Sequence, residues 1–206
     1  AAPLADQAQP FVLIRAGDQR RESFKHLATV IAQLQDGDTI EVHGNGPFRV
    51  PPIRLEGKGL HLRAAKGYRP RFVSTKDSQF GSWIYVTGAP VHIEGCDFVS
   101  YQTNALGGGG ASCEIVNCRF LAYAGFNVSY NSGKLRIIDS LIANDGAGTP
   151  IAITGKVQAE VTNNLIHCYI NHPSSRLVLG PGAETIQLHL AHNTISSGGG
   201  LLEVSN

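Results

Sequence analysis

Five segments of the chain superimpose on one another: 91–99 (VHIEGCDFV), 113–121 (CEIVNCRFL), 135–143 (LRIIDSLIA), 159–167 (AEVTNNLIH) and 188–196 (LHLAHNTIS). One apolar column runs through Ile93, Ile115, Ile137, Val161 and Leu190, and a second through Phe98, Phe120, Ile142, Ile166 and Ile195. Between them lies a small or polar column of Cys96, Cys118, Ser140, Asn164 and Asn193, whose members are 22, 22, 24 and 29 residues apart. Further short apolar runs separate the repeats: Trp83–Val86, Phe126–Tyr130, Pro150–Thr154, Arg176–Leu179 and Leu201–Val204, each bounded by Gly, Asn or Pro. Each period thus predicts two or three short strands and turns with no crossover helix, which excludes the helix-connected parallel sheet. Short strands at a regular period of 22 or more predict an all-β parallel β-helix whose like positions stack from rung to rung.

Stacking gives each column a meaning. Rungs about 4.8 Å apart turn the apolar columns into continuous core strips. The polar column can hydrogen-bond along a bend where backbone would otherwise be buried without partners. The N-terminal third predicts the start of the same coil. Phe11–Ile14 reads as a strand. Ser23 reads as the N-cap of a helix running to about Gln35, with Phe24, Leu27, Ala28, Ile31 and Leu34 on one face and Gly37 as a left-handed stop. Thr39–Val42, Phe48–Val50, Ile53–Leu55, Leu60–Ala64 and Arg71–Val73 read as the first rungs. The expected domain is therefore residues 11–206, with a helical cap at 22–38 over the open core edge and coils at 39–206.

Composition narrows the class. The 206 residues carry a formal net charge of +1 and only 16% charged side chains, which gives no electrostatic reason to expect nucleic acid or an anionic membrane as partner. No apolar run is long enough to span a membrane. There are 24 Gly and no Met; the Ala/Gln/Pro-rich residues 1–10 read as a linker or processing remnant of a longer parent chain, or as a start that has lost its initiator. Four Cys are too few for a disulfide-built scaffold, and no His/Cys spacing suits zinc, so no cofactor or metal is expected.

The run from Phe24 (FKHLATVIAQLQDGDTIEVHG), followed by Gly59-LHLRA, resembles the opening of right-handed β-helix proteins of the pectin-lyase-like superfamily. The resemblance implies a single-stranded right-handed parallel β-helix of about eight coils with an N-terminal amphipathic capping helix. Within it, Asn117-CRFLAYAGF is similar to a stretch of pectin methylesterases in which N-C-R-F-L-G-Y precedes Gln-Asp-Thr. Ala124, Gly125 and Phe126 stand where the first catalytic Asp would fall, and Ile151 and Ala152 near the place of the second. The Asn-Thr-Asp, Asp-Asp and Gly-His-Gly motifs of polygalacturonase-like enzymes are missing too; His43-Gly44-Asn45-Gly46 is the nearest match. Asp139 and Asp145 lack the third acid of a pectate-lyase-like calcium site. The chain also resembles β-helix modules appended to large planctomycete-type proteins, some carrying a Ser/Thr kinase, although no kinase motif is present here.

Two surface features carry the ligand expectations. A column five residues past the polar one holds Tyr101, Tyr123, Asp145, Tyr169 and Gly198; it is either an aromatic strip for sugar or a ladder that only packs a turn. Residues 54–71 hold Arg54, Lys58, Arg63, Lys66, Arg69 and Arg71 against Glu56, either a grip for an acidic glycan or a solvated face with Glu41, Arg54 and His61 in cross-rung pairs. Cys96 and Cys118, one rung apart, are either bridged or simply stacked. His167 and His172 lack a third ligand, and the Gly107–Gly110 and Gly198–Gly200 runs read as close rung contacts rather than phosphate loops. The expectation is a non-catalytic, extracytoplasmic module for glycan binding or protein interaction, with Tyr101, Tyr123, Asp145, Tyr169, Arg69 and Arg71 as ligand residues. The alternatives are a polysaccharide-active enzyme whose first suspects are Asp139, Asp145 and the Arg69/Arg71 pair, and a purely structural spacer.

Overall fold

A computed structural model describes residues 8–75, 81–101, 104–123, 125, 127–145, 148–168, 177–180, 186–196 and 202–204. After a hairpin of β1 (Phe11–Ile14) and β2 (Arg21–Phe24) and a short helix α1 (Leu27–Gln33), the chain winds as a parallel β-solenoid with three faces. Strands β3 (Thr39–Val42), β4 (Phe48–Val50) and β5 (Ile53–Glu56) open the first, second and third face, and β6 (Leu60–Ala64) lands back on β3 with Ile40 opposite Leu62. The second face is a seven-stranded parallel sheet. The strands Val128–Ile138 and Ile151–Thr162 run through the corner between the third and first faces and serve both. About five turns close between β3 and Ile151–Thr162, fewer than the eight coils expected, and the later strands continue the three faces. Phe11–Ile14 is a strand, as expected, and pairs within the hairpin.

The apolar columns stack as the repeat implies. Ile93, Ile115, Ile137, Val161 and Leu190 pair in succession on the first face. Phe98, Phe120, Ile142, Ile166 and Ile195 pair on the second, where Phe48 and Phe72 extend the column backwards. Phe72, Phe98 and Phe120 stack with ring centroids 5.4 and 4.9 Å apart. Trp83, fully buried beside Phe98, donates its indole N–H to the Val50 carbonyl at 2.9 Å, so its one polar atom is satisfied inside the core.

The polar column at the first bend is a hydrogen-bonded ladder. The Ser140 hydroxyl accepts the Cys118 N–H, the Asn164 Oδ1 accepts the Ser140 N–H, and the Asn193 Oδ1 accepts the Asn164 N–H, at 3.1, 2.8 and 2.9 Å. The Asn164 and Asn193 amides donate in turn to the carbonyls of Ile137 and Val161. Bends turn the strand hydrogen bonds inward, and these side chains supply partners that water cannot reach. Each ladder residue follows one in the left-handed region: Gly95, Asn117, Asp139, Asn163 and His192, with φ of 71, 50, 52, 56 and 55°. Asn, Asp and His tolerate that conformation better than other side chains, and Gly has no Cβ to clash.

The N-terminal cap departs from expectation. Residues 21–24 form β2 rather than the start of a helix, because Ser23 and Phe24 pair antiparallel with Val12 and Phe11. The helix spans only Leu27–Gln33, its N-cap is His26 without a side-chain cap bond, and Ser23 plays no such role. Strand pairing has overridden local capping chemistry. The edge of the first face is covered by β1, which pairs antiparallel with β3 (Leu13 opposite Ile40). Gly37 is left-handed as expected, at φ 81°. The adjoining Asp38 carboxylate accepts the N–H groups of Ala16 and Gln35 and the Arg15 guanidinium at 2.8 Å. Burial alone would push that carboxyl up; these three donors outweigh it and hold it below the usual carboxylate range.

Candidate functional site

The outward side chains of the second face form three stripes parallel to the solenoid axis. The first holds Arg71, Asp97, Arg119, Leu141 and Leu165 in successive register. Two residues along each strand, the second holds the half-buried Val73, Val99, Leu121 and Ala143. The third lies just past the strand ends, where the N–H groups of Tyr123 and Asp145 extend the ladder by bonding the carbonyls of Ser100 and Ala122. It presents Tyr101, Tyr123 and Asp145, all exposed, and Tyr169 lies outside the described residues. The face therefore grades across its width from guanidinium through aliphatic to aromatic hydroxyl and carboxylate.

Tyr101 and Tyr123 are a true stack, their centroids 5.2 Å apart and their planes within 7°. A sugar packs on the flat of an aromatic ring. Here the facing sides cover one another, so the pair offers hydroxyls, edges and only its two outermost flats. The expected aromatic strip is thus more rim than platform.

Arg69 is not a free ligand group. Its Nε donates to Asp97 at 2.7 Å, while its two terminal nitrogens donate to the side chain and carbonyl of Asn117, both at 3.2 Å. It staples three rungs together. Arg71 and Arg119, by contrast, stand exposed on either side of Asp97 in one column, about 9–10 Å apart at the spacing of strands. Arg119, missed by sequence reasoning, shares with Arg69, Asn117, Asp139, Asn163 and Leu165 a shallow groove of about 560 Å³ along the first bend. Asp139 is hydrogen-bonded by Asn163 in that groove, and Asp145 stands on the opposite edge of the face, so the two acids are not brought to one site.

The rest of the basic run disperses over the solenoid because alternate residues and successive strands face different ways. Arg54 lies over the Tyr85 ring on the third face at 5.4 Å, and Arg63 pairs with Glu41 on the first. The expected cross-rung pairing of Glu41 with Arg54 and His61 is replaced by bonds from Arg21, His43 and Arg63. Burial would raise the Glu41 carboxyl, but these partners hold it below its ordinary value. His61 belongs instead to an outward ladder on the first face. It contacts Thr39 at 3.0 Å and the His92 ring at 4.6 Å; His92 bonds Glu114, Glu114 pairs with Arg136, and Arg136 with Glu160. Burial, then the His92 and Arg63 charges, push the His61 imidazole below its ordinary value.

Cys96, Cys113 and Cys118 are free and buried. Burial pushes the Cys113 and Cys118 thiols up to about 12, which makes them inert ladder and core groups rather than nucleophiles. Among the described residues no three His, Cys, Asp or Glu side chains come together as metal ligands, and His172 lies outside them. Gly107 and Gly108 sit in a third-face strand where a Cβ would collide with Ser82 and the Val86 carbonyl, the close rung contacts expected; Gly198–Gly200 lie outside the described residues. Ile151 and Ala152, where the resemblance would put an esterase carboxylate, are buried strand residues, while Ala124 and Phe126 lie outside the described residues. No described helix is long and apolar enough to cross a membrane. No family model, curated protein or solved structure matches the chain.

Proposed function

We propose that this solenoid is a non-catalytic binding module that lays an extended acidic glycan along its second face, outside the cytoplasm. The carrying observation is the set of three stripes in register: Arg71 and Arg119, then Val73, Val99, Leu121 and Ala143, then Tyr101, Tyr123 and Asp145. A pyranose chain lying along the axis meets cations for its carboxylates, an aliphatic strip for its C–H faces, and hydroxyls and a carboxylate for its ring hydroxyls. The resemblance to right-handed pectin-lyase-like β-helices favours the same ligand class. So does the state of the acids: Glu41, Asp97, Glu114 and Glu160 are each engaged by arginine. A glycosidase instead needs two carboxyl groups facing one sugar.

A glycan array, with every hit assayed for reducing ends and unsaturated products, tests the proposal. The expected result is binding to acidic glycans without product release, weakened about 10–100-fold by Arg119→Ala through loss of one charge-assisted contact. Tyr123→Ala should weaken it further. Product release would make the face catalytic. Binding untouched by both variants, or none at all, would overturn the assignment and leave a spacer.

A further inference from the structure

A second site lies at the N-terminal end, away from the three stripes. A hollow of about 340 Å³ opens where the start of α1 passes the edge strand β4. Its floor is apolar: Phe11, Leu27 and Val50 are buried, and Phe48 forms a half-buried wall. Its rim carries Lys25, His26 and Arg49, all exposed, and no carboxylate lines it among the described residues.

The rim contrasts with the charges around it. Arg15, Arg20, Arg21 and Arg63 are all committed to Asp38, Glu22 or Glu41. Lys25, His26 and Arg49 take part in none of the ion pairs or side-chain hydrogen bonds of the described residues. Among the described residues, Glu22, Asp38 and Glu41 are thus engaged by other cations, and the cations that face the hollow are left for a partner. An apolar floor beneath uncompensated cations complements a molecule with one anionic head and a short apolar body. The volume is at the small end of ligand sites, which suits a single ring or a short alkyl chain rather than a sterol or a two-chain lipid.

We propose that this hollow binds a free, small amphiphilic carboxylate, its head held by Arg49 and Lys25 and its tail lying on Phe11, Leu27 and Phe48. The proposal stands independently of the glycan face, because the two share no residue. The test is calorimetric titration of the folded chain with monomeric octanoate, beside octylammonium as the same chain with the opposite head and acetate as the same head without the chain. Octanoate should bind at least tenfold more tightly than either. Arg49→Glu and Lys25→Glu, both at exposed positions, should each weaken octanoate at least tenfold, and Ala28→Trp, which fills the hollow from the exposed side of α1, should abolish binding. Backbone amide shifts in the wild-type titration should centre on Leu27 and Phe48. Equal binding of octanoate and octylammonium, octanoate binding undiminished in Arg49→Glu, shifts centred elsewhere, or no binding at millimolar ligand would each overturn the proposal.

Discussion

Asn164→Ala is the sharpest probe of the bend ladder. Asn164 is 3% exposed; its Oδ1 accepts the Ser140 N–H at 2.8 Å and its Nδ2 donates to the Ile137 carbonyl at 2.9 Å. Truncation strands both backbone groups inside the bend, where each unsatisfied group costs about 1–3 kcal/mol. The expected loss is therefore about 2–5 kcal/mol, or roughly 5–15 °C of melting temperature for a chain of this size. Asn164→Ser should restore part of it, since the Ser140 hydroxyl one rung earlier likewise accepts a backbone N–H of the preceding rung, that of Cys118, while donating to Ile138 in its own rung. Asn163→Gly, at the exposed left-handed neighbour with φ 56°, should cost less than about 1 kcal/mol because Gly accepts that backbone without strain. Thermal melting by circular dichroism reads the global effect. Amide exchange read by NMR provides the local one: the Ser140 N–H should lose protection before amides two rungs away. A cost below about 1 kcal/mol for Asn164→Ala, with Ser140 still protected, would show that the ladder is incidental to the bend.

Two further outcomes follow from the same contacts. The folded state favours neutral His61, so the unfolded chain takes up that proton first; stability should be complete above the ordinary imidazole value of 6.5 and fall as pH drops through it. A second decline should follow below the ordinary carboxylate values of 3.8 and 4.5, as the lowered carboxyls of Asp38 and Glu41 protonate. Melting temperature against pH checks both, and an upper step that survives in His61→Asn would refute the assignment. Phe98→Ala, which opens a void between Phe72, Trp83 and Phe120, should cost about 3–5 kcal/mol in urea unfolding, and a cost near that of a surface substitution would mean that the aromatic column is not packed as described.

The coil was legible because a solenoid repeats its physics. Once Ile93, Ile115 and Ile137 are seen 22 residues apart, the register of every inward position follows, and the paired strands keep it through Leu190. The left-handed column Gly95, Asn117, Asp139, Asn163 and His192 was equally present in the sequence as residue types suited to positive φ, one position before the ladder. The N-terminal end was less legible because it repeats nothing. There the helical spacing of Phe24, Leu27, Ile31 and Leu34 competes with antiparallel pairing to β1, and only tertiary context decides between them. The basic run misled for a related reason. Its members are neighbours in sequence, yet the chain turns a corner between β5 and β6 and again before Arg71, so Arg54, Arg63 and Arg71 reach three different faces.

That dispersal bears on where a ligand can sit. Inward columns and bend columns are fixed by the fold, and nearly every polar group in them has found a partner within the stack. The first face uses its outward charges in the same way, chaining Thr39 to Glu160 through His61, His92, Glu114 and Arg136. Exposed pairs of this kind contribute little stability each, and they leave few unpaired charges for a ligand. The second face differs in that Arg69 has taken the carboxylate of Asp97, which would otherwise neutralise the two guanidiniums flanking it in its column. Arg69 thus works as a positioning residue: by occupying Asp97 it leaves Arg71 and Arg119 without an ion-pair partner among the described residues. The reading of the second face as an anion-binding surface depends on that staple as much as on the residues a ligand would touch.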